Sequence, residues 1–431
     1  MAAPAVRPGS RLSHRRRFAP CRAAAEPPSF SRRAAGAAAG AAGLAAAVRL
    51  GTFAALDGRP RFPPHGGPYA VAGLDLRLPR DVLDGDADSP SFRARLLYPC
   101  APFPEGAATP TLLPYMGAGA DGVAQASSLA GLVRFPSFLT SHLANGLSGV
   151  LSCVPSAAPG RFPALAYSHG FGGNAQMGTG VLAEIASRGV IVLAVEHTDG
   201  TASRTVRANG TVLRFGERLP GGRGAGLALR ARELRAAAAA LAGSGEGAAA
   251  LPAAVRRAVD PDALFLGGHS YGAPTALLAL RASGSSLRFA GALLHDAALP
   301  ALPDATLSEK LAQPCLYLLS DEYMASQYTL APVLTAARAA AAGSGVYHLI
   351  GSAHGNYVDA PFWAARPVMR GLAKMGIPAA GAGPADEVLR VIGDTAAAFL
   401  CARADAGAPG FAGAQPRLAA LFNATREAAS A

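Results

Sequence analysis

The chain has 431 residues, 51% hydrophobic and 16% charged, long enough for one large α/β domain with a substantial core or for two ordinary ones. Its net charge of +11 sits at the front: residues 1–60 hold ten Arg against Glu26 and Asp57, or +8, which leaves +3 for the rest. That placement excludes a basic nucleic-acid-binding body. The five Cys (Cys21, Cys100, Cys153, Cys315 and Cys401) are scattered with no C-x-x-C, which argues against a disulfide scaffold and a structural zinc site.

Residues 1–60 read as a targeting segment: rich in Arg and Ala, containing Ser, poor in acids, as transit peptides are. Ser31-Arg32-Arg33 precedes the weakly apolar run Ala34 to Ala47, a pattern that resembles a twin-Arg signal for the thylakoid lumen. The run is too short and too weakly apolar to span a membrane. A plastid address is therefore expected, with the secretory pathway as the alternative. In the latter case Asn209-Gly210-Thr211 and Asn423-Ala424-Thr425 would be glycan acceptors.

The body, residues 61–405, is built of short apolar runs closed by turn residues or helical stretches. Strands are predicted at Ala70–Leu78, Ala94–Tyr98, Ala164–Ser168, Val190–Glu196, Leu264–His269, Phe289–His295, Cys315–Leu319 and Val346–Ile350. Helices are predicted at Met177–Arg188, Leu227–Leu241, Ala273–Arg281, Leu330–Ala341, Pro361–Lys374 and Ala385–Cys401. After the third strand the two types mostly alternate, which predicts an α/β fold: a mainly parallel eight-stranded sheet with helices on both faces. Residues 100–160 break the alternation. Leu129, Leu132, Val133, Phe135, Phe138, Leu139, Leu143, Leu147, Val150 and Leu151 suggest either a helix packed on the sheet or a cap or interfacial helix that touches lipid. The tail, 406–431, is expected to fray.

Chemistry concentrates at strand ends. Leu264 to Gly272 contains G-x-S-x-G as Gly268-His269-Ser270-Tyr271-Gly272, with an apolar strand before it and a helical stretch after it. A serine on so tight a turn exposes its hydroxyl at the edge of the sheet, which makes Ser270 the candidate nucleophile. The base is expected to be His354, in the loop Gly351-Ser352-Ala353-His354-Gly355-Asn356-Tyr357 after the last strand. His269, beside the nucleophile, should point away. Asp296 and Asp321 both end strands between Ser270 and His354, and either could orient the imidazole; the other would be a cap. Oxyanion donors are expected from the backbone N–H groups of Tyr271 and of Phe171 in Ser168-His169-Gly170-Phe171-Gly172-Gly173. No metal constellation is apparent, and no G-x-G-x-x-G follows an early strand, so neither metal nor cofactor is expected.

These segments together resemble the platelet-activating factor acetylhydrolases, the lipoprotein-associated phospholipase A2 group of the α/β-hydrolase superfamily. The carriers, in order, are Leu96-Leu97-Tyr98-Pro99, Tyr167 to Gly172, Ala194-Val195-Glu196-His197, Gly268 to Gly272, Leu294-His295-Asp296-Ala297 with Pro300, Ser320-Asp321-Glu322-Tyr323, and Gly351 to Asp359. The resemblance implies a calcium-independent serine esterase that cleaves short or oxidised sn-2 acyl chains from phospholipids, with Asp296 as the acid. It implies phospholipid as the partner, and the interfacial reading of residues 129–151 would add peripheral membrane contact. Gly272-Ala273 departs from the family's usual Gly-Gly, residues 100–160 match poorly, and the leader has no counterpart. The alternative is a plastid esterase on another lipophilic ester, such as a chlorophyllase; those usually carry Arg where this chain has Tyr271.

Overall fold

A computed structural model describes residues 60, 62–79, 91–101, 111–132, 138–152, 157–217, 221–282, 287–377, 379–402 and 417–423. The targeting segment expected at residues 1–60 lies outside these, apart from residue 60.

All eight predicted strands are present: β1 (Ala70–Pro79), β2 (Ser91–Cys100), β5 (Phe162–Ser168), β6 (Ile191–Glu196), β9 (Val259–His269), β10 (Gly291–His295), β11 (Cys315–Leu319) and β12 (Gly345–Leu349). Three more strands, β3 (Leu112–Pro114), β4 (Leu147–Ser152) and β13 (Leu418–Asn423), extend the sheet to eleven in the order β13-β12-β11-β10-β9-β5-β6-β2-β1-β4-β3. Its centre, β6 to β12, is parallel throughout, and antiparallel pairs lie towards the two ends. β13 falls in the tail expected to fray. It pairs antiparallel with β12, so the short apolar run Leu418–Phe422 covers what would be a bare edge.

Both faces of the sheet are covered, which is why β6 and β11 are apolar almost end to end and fully buried. Leu96, Ala166, Leu193, Leu266, Leu294 and Tyr317 pack on one face with Leu234 of the helix Gly222–Leu241, Leu277 of Gly272–Arg281 and Val333 of Gln327–Ala339. Leu97, Leu165, Val192, Leu293, Leu318 and Tyr347 alternate with them and face the helices Thr179–Ala186 and Ala385–Cys401.

The segment 100–160 corrects one expectation. Its helices are Gly119–Leu132 and the short Phe138–Ser141, which runs into a 3-10 turn at His142–Asn145, and Leu147, Val150 and Leu151 belong to β4 rather than to a helix. Leu129 and Leu143 are buried with Tyr115, Met116, Ala126 and Met177, and Val150 joins the sheet core. Leu129, Leu143 and Val150 are thus consumed by packing, whereas Leu147 is exposed. Val133 and Phe135 lie outside the described residues. A hairpin of β7 (Arg204–Val206) and β8 (Val212–Arg214) was not predicted either.

Candidate active site

The parallel strands β5, β9, β10, β11 and β12 end along one edge, where ligands of such sheets gather. Their register aligns the ends. Ser168 lies opposite Gly268, and His295 opposite both His269 and Leu318. Every residue singled out for chemistry leaves the sheet within a few positions of these pairs.

Ser270 follows β9 with φ of 54°, and the next helix begins at Gly272. A β-carbon on Gly272 would overlap the Ser168 carbonyl oxygen, and one on Gly268 would overlap the Gly272 backbone. The motif's glycines are therefore required by close backbone approach, not by convenience. The turn is pinned by the Ser270 N–H, which donates to the His295 carbonyl at 2.9 Å, and by the Ala298 N–H, which donates to the Ser270 carbonyl at 3.1 Å. Among the described residues only Ser270, Asp296 (φ 42°) and Asp359 (φ 64°) adopt positive φ without being glycine. Backbone strain of this kind collects where geometry is over-determined by function.

Of the two candidate acids, Asp296 meets the histidine. Its Oδ2 lies 2.9 Å from His354 Nδ1, and its side chain is fully buried while that of His354 is 25% exposed. Asp321 instead accepts from the Gly351 N–H at 3.0 Å and faces His348 Nε2 at 2.7 Å, the turn-capping role left for the other aspartate. His354 is further fixed by its own N–H, which donates to Glu322 at 3.0 Å. The loop beneath it is held by Asn356, whose Oδ1 accepts from the Ala353 and Gly381 N–H groups at 2.8 and 3.1 Å.

His269 departs from expectation. Its ring does not point away; it packs against His354 with centroids 4.3 Å apart and against Tyr357 at 5.9 Å. Burial, then the neighbouring His354, holds its imidazole well below the ordinary value, so it is a neutral wall of the site.

Pattern reading overlooked the segment Ser320-Asp321-Glu322-Tyr323 as a working unit. Ser320 holds Asp296, Asp321 caps the histidine loop, Glu322 holds the His354 backbone, and Tyr323 stacks on the His354 ring. The Tyr323 ring stacks on His354 at 5.1 Å and 5°; burial, then Asp296, pushes its phenol up, and the Ser270 side chain pulls the other way. The signal available in sequence was the resemblance of this stretch to the family's, which ranked Asp321 without revealing what its neighbours do.

The glycine loop after β5 lies beside the serine: a β-carbon on Gly170 would stand 3.0 Å from Ser270 Cβ. Phe171 in that loop is 46% exposed, and its ring meets Tyr271 at 5.7 Å and Phe215, just after β8, at 4.9 Å, both edge-on. An apolar aromatic rim therefore borders Ser270. Chemically, the arrangement offers a hydroxyl, an imidazole oriented by a buried carboxylate, and backbone amides at one sheet edge.

Compared with solved structures, the chain is similar to a ferulic acid esterase from Streptomyces cinnamoneus, with a TM-score of 0.62 and 20% identity, covering 84% of this chain and 99% of that one. This likeness shows the fold, that of the α/β-hydrolases. No curated protein matches in sequence. A family model for platelet-activating factor acetylhydrolase, isoform II, matches residues 54–213 and 253–405, which is most of the chain. The chain accordingly belongs to the platelet-activating factor acetylhydrolase isoform II family and is a carboxylic ester hydrolase of the serine type.

Proposed function

We propose that this esterase hydrolyses short or oxidised sn-2 acyl esters of phospholipids through an acyl-enzyme on Ser270. The observation that carries the chemical part is the contact between His354 Nδ1 and the buried Asp296, together with the strained turn that carries Ser270. Because an aspartate carboxylate only accepts, Nδ1 carries the proton and Nε2 is left to take the Ser270 proton as Oγ attacks the ester carbonyl. The N–H groups of Phe171 and Tyr271 receive the oxyanion. Collapse expels the lysophospholipid oxygen, protonated by His354; water then attacks the acyl-enzyme by the same path in reverse order.

The substrate class rests on family membership together with the cost of extraction. Each buried methylene holds a lipid in its bilayer by about 0.8 kcal/mol, so fourteen more of them cost roughly 11 kcal/mol to draw into water. An acetyl or oxidised chain escapes that cost. The aromatic rim of Phe171, Phe215 and Tyr271 would equally suit another lipophilic ester with a flat ring system, which is the second reading. The deciding measurement is kcat/KM for sn-2 acetyl, glutaroyl and palmitoyl phosphatidylcholine beside chlorophyll a. The proposal requires acetyl and glutaroyl to exceed palmitoyl by orders of magnitude. Equal rates on acetyl and palmitoyl would reject it, and faster chlorophyll turnover would establish the second reading.

We propose a plastid, and within it the thylakoid lumen, as the site of action, on the Arg excess and acid depletion of residues 1–60. Fusion of that segment to a fluorescent protein tests it. Secretion, with a glycan on Asn209 in the exposed turn of the β7–β8 hairpin, would refute it.

A further inference from the structure

Below the glycine loop lies a second serine–histidine–acid array. Ser168 Oγ is 2.8 Å from His197 Nε2, and His197 Nδ1 is 2.8 Å from Glu233. As a carboxylate, Glu233 accepts from the Thr198 N–H and hydroxyl and from the His197 Nδ1–H. Burial, then the nearby Arg230, holds the His197 imidazole well below its ordinary value; Nε2 therefore accepts from the Ser168 hydroxyl. The connectivity copies a resting nucleophile, but Ser168, His197 and Glu233 are all fully buried and no ester could reach them. The array is a brace, and its hub is Arg230.

The buried Arg230 guanidinium ties three chain segments together. Nη2 donates to Ser168 Oγ at 3.0 Å and to the His169 carbonyl, at the start of the glycine loop. Nη1 donates to Thr201 Oγ1 and lies 3.9 Å from Asp199, beyond β6. Nε donates to Thr275 Oγ1 at 3.0 Å in the helix that follows Ser270, and Thr275 donates in turn to the Tyr271 carbonyl at 3.1 Å. The guanidinium carbon sits 5.2 Å from the centroid of the Tyr271 ring. Only a planar fork of five donors can serve so many acceptors at once. Both Arg230 and Glu233 lie in the stretch between the two segments matched by the family model.

The brace also fixes a peptide plane. The His197 N–H donates to His169 Nε2 at 3.2 Å, so His169 Nδ1 donates to the Gly170 carbonyl at 2.7 Å; the Gly173 N–H donates to the same carbonyl at 3.0 Å. Across a planar trans peptide, holding the Gly170 oxygen sets the direction of the Phe171 N–H.

We infer that Arg230 is a positioning residue for ester hydrolysis: by tying the loop 168–171 to the helix after Ser270, it sets the spacing of the Phe171 and Tyr271 N–H groups that receive the oxyanion. The inference rests on the proposed roles of Ser270, Phe171 and Tyr271. Its effect falls on the charged tetrahedral state and not on the bound ester.

The test measures p-nitrophenyl acetate hydrolysis and inhibition by a trifluoromethyl ketone, which forms a tetrahedral adduct with an active serine. Losing one oxyanion donor outright costs about 10²–10³ in kcat, so a displaced pair should cost less. In Arg230→Lys, kcat should fall roughly 30-fold with KM within about twofold of wild type, and the inhibitor's Ki should rise by the same factor as kcat/KM falls. Thr275→Val, which removes one acceptor of the fork, should lie between. A folded Arg230→Lys with wild-type kcat, a loss confined to KM, or an unmoved Ki overturns the inference. If Arg230→Lys fails to fold, Thr275→Val and Ser168→Ala decide, and wild-type kcat in both overturns it. Fluorophosphonate labelling of Ser270 in the wild-type protein separates the two layers. Its absence removes the esterase reading itself, whereas a labelled protein with unaffected variants removes only the role of Arg230.

Discussion

Ser320 grips Asp296 at both carboxylate oxygens: its N–H donates to Oδ1 at 2.7 Å and its hydroxyl to Oδ2 at 2.7 Å. Oδ2 is also the atom that faces His354 Nδ1. The residue just after β11 thus aims the carboxylate just after β10. Hydrogen bonds to a charged group contribute about 1.5–3 kcal/mol each. Ser320→Ala keeps the N–H and loses the hydroxyl, so kcat should fall roughly 10-fold at neutral pH while KM holds. Steady-state kinetics on a soluble acetyl ester would check this, and an unchanged kcat would remove Ser320 from the account.

The two aspartates separate by environment. Asp296 is buried against His354, while Asp321 is exposed and caps a turn. Asp296→Asn should lower kcat by about 10³–10⁴, because an amide cannot hold the same imidazole tautomer. Asp321→Asn should change kcat less than about threefold and chiefly loosen the Gly351 turn. The reverse ranking would transfer the acid to the end of β11.

Tyr323 presents two separable features, a ring stacked on His354 and a phenol whose ionisation the Ser270 side chain influences. Burial pushes its phenol well above the ordinary value, so the hydroxyl stays protonated and acts only through hydrogen bonding. Tyr323→Phe retains the stack and should lower kcat several-fold. Tyr323→Leu removes both and should lower it further, by about 10-fold or more, with a change in the acid limb of the pH–rate profile that the Phe variant lacks. Equal kinetics for both variants would mean that only packing matters there.

Glu196, the last residue of β6, is fully buried and accepts from Gln125 Nε2 at 2.9 Å and Thr205 Oγ1 at 2.5 Å. Burial pushes its carboxyl from 4.5 up to about 7, against the opposing pull of Arg93. The folded state therefore binds this proton more tightly than the unfolded chain does. The resulting stability is fully present below about pH 4.5 and is lost as pH rises through about 7. Glu196→Gln abolishes the ionisation, so its Tm relative to wild type should climb by several degrees between pH 5 and pH 8. A Tm difference that is flat across this range would place the Glu196 carboxyl at an ordinary value.

Strong local signals were legible in the sequence. The strand–turn–helix around Ser270 and the glycines that admit it follow from backbone demands that few residues can meet, and His354 after β12 follows from the base that a serine hydroxyl needs. The choice of Asp296 over Asp321 was not legible by pattern, because both end strands; burial separates them, and burial is set by neighbours far away in sequence. Segment 100–160 misled because Leu147 and Leu151 sit at helical spacing from Leu143, yet strand pairing with β1 and β3 claims them. The Ala-rich helix Gly222–Leu241 concealed the Arg230 brace: an Arg and a Glu among alanines read as solvated, and only their contacts with Ser168, His197 and Thr275 show them buried.

The nucleophile is the claim on which the others depend, and covalent capture tests it most directly. A fluorophosphonate added to the protein should yield a single adduct, which peptide mass spectrometry places on Ser270. Ser270→Ala should lose both the adduct and ester hydrolysis, the latter by at least about 10³-fold. An adduct on any other residue, or hydrolysis that survives in Ser270→Ala, would contradict the account.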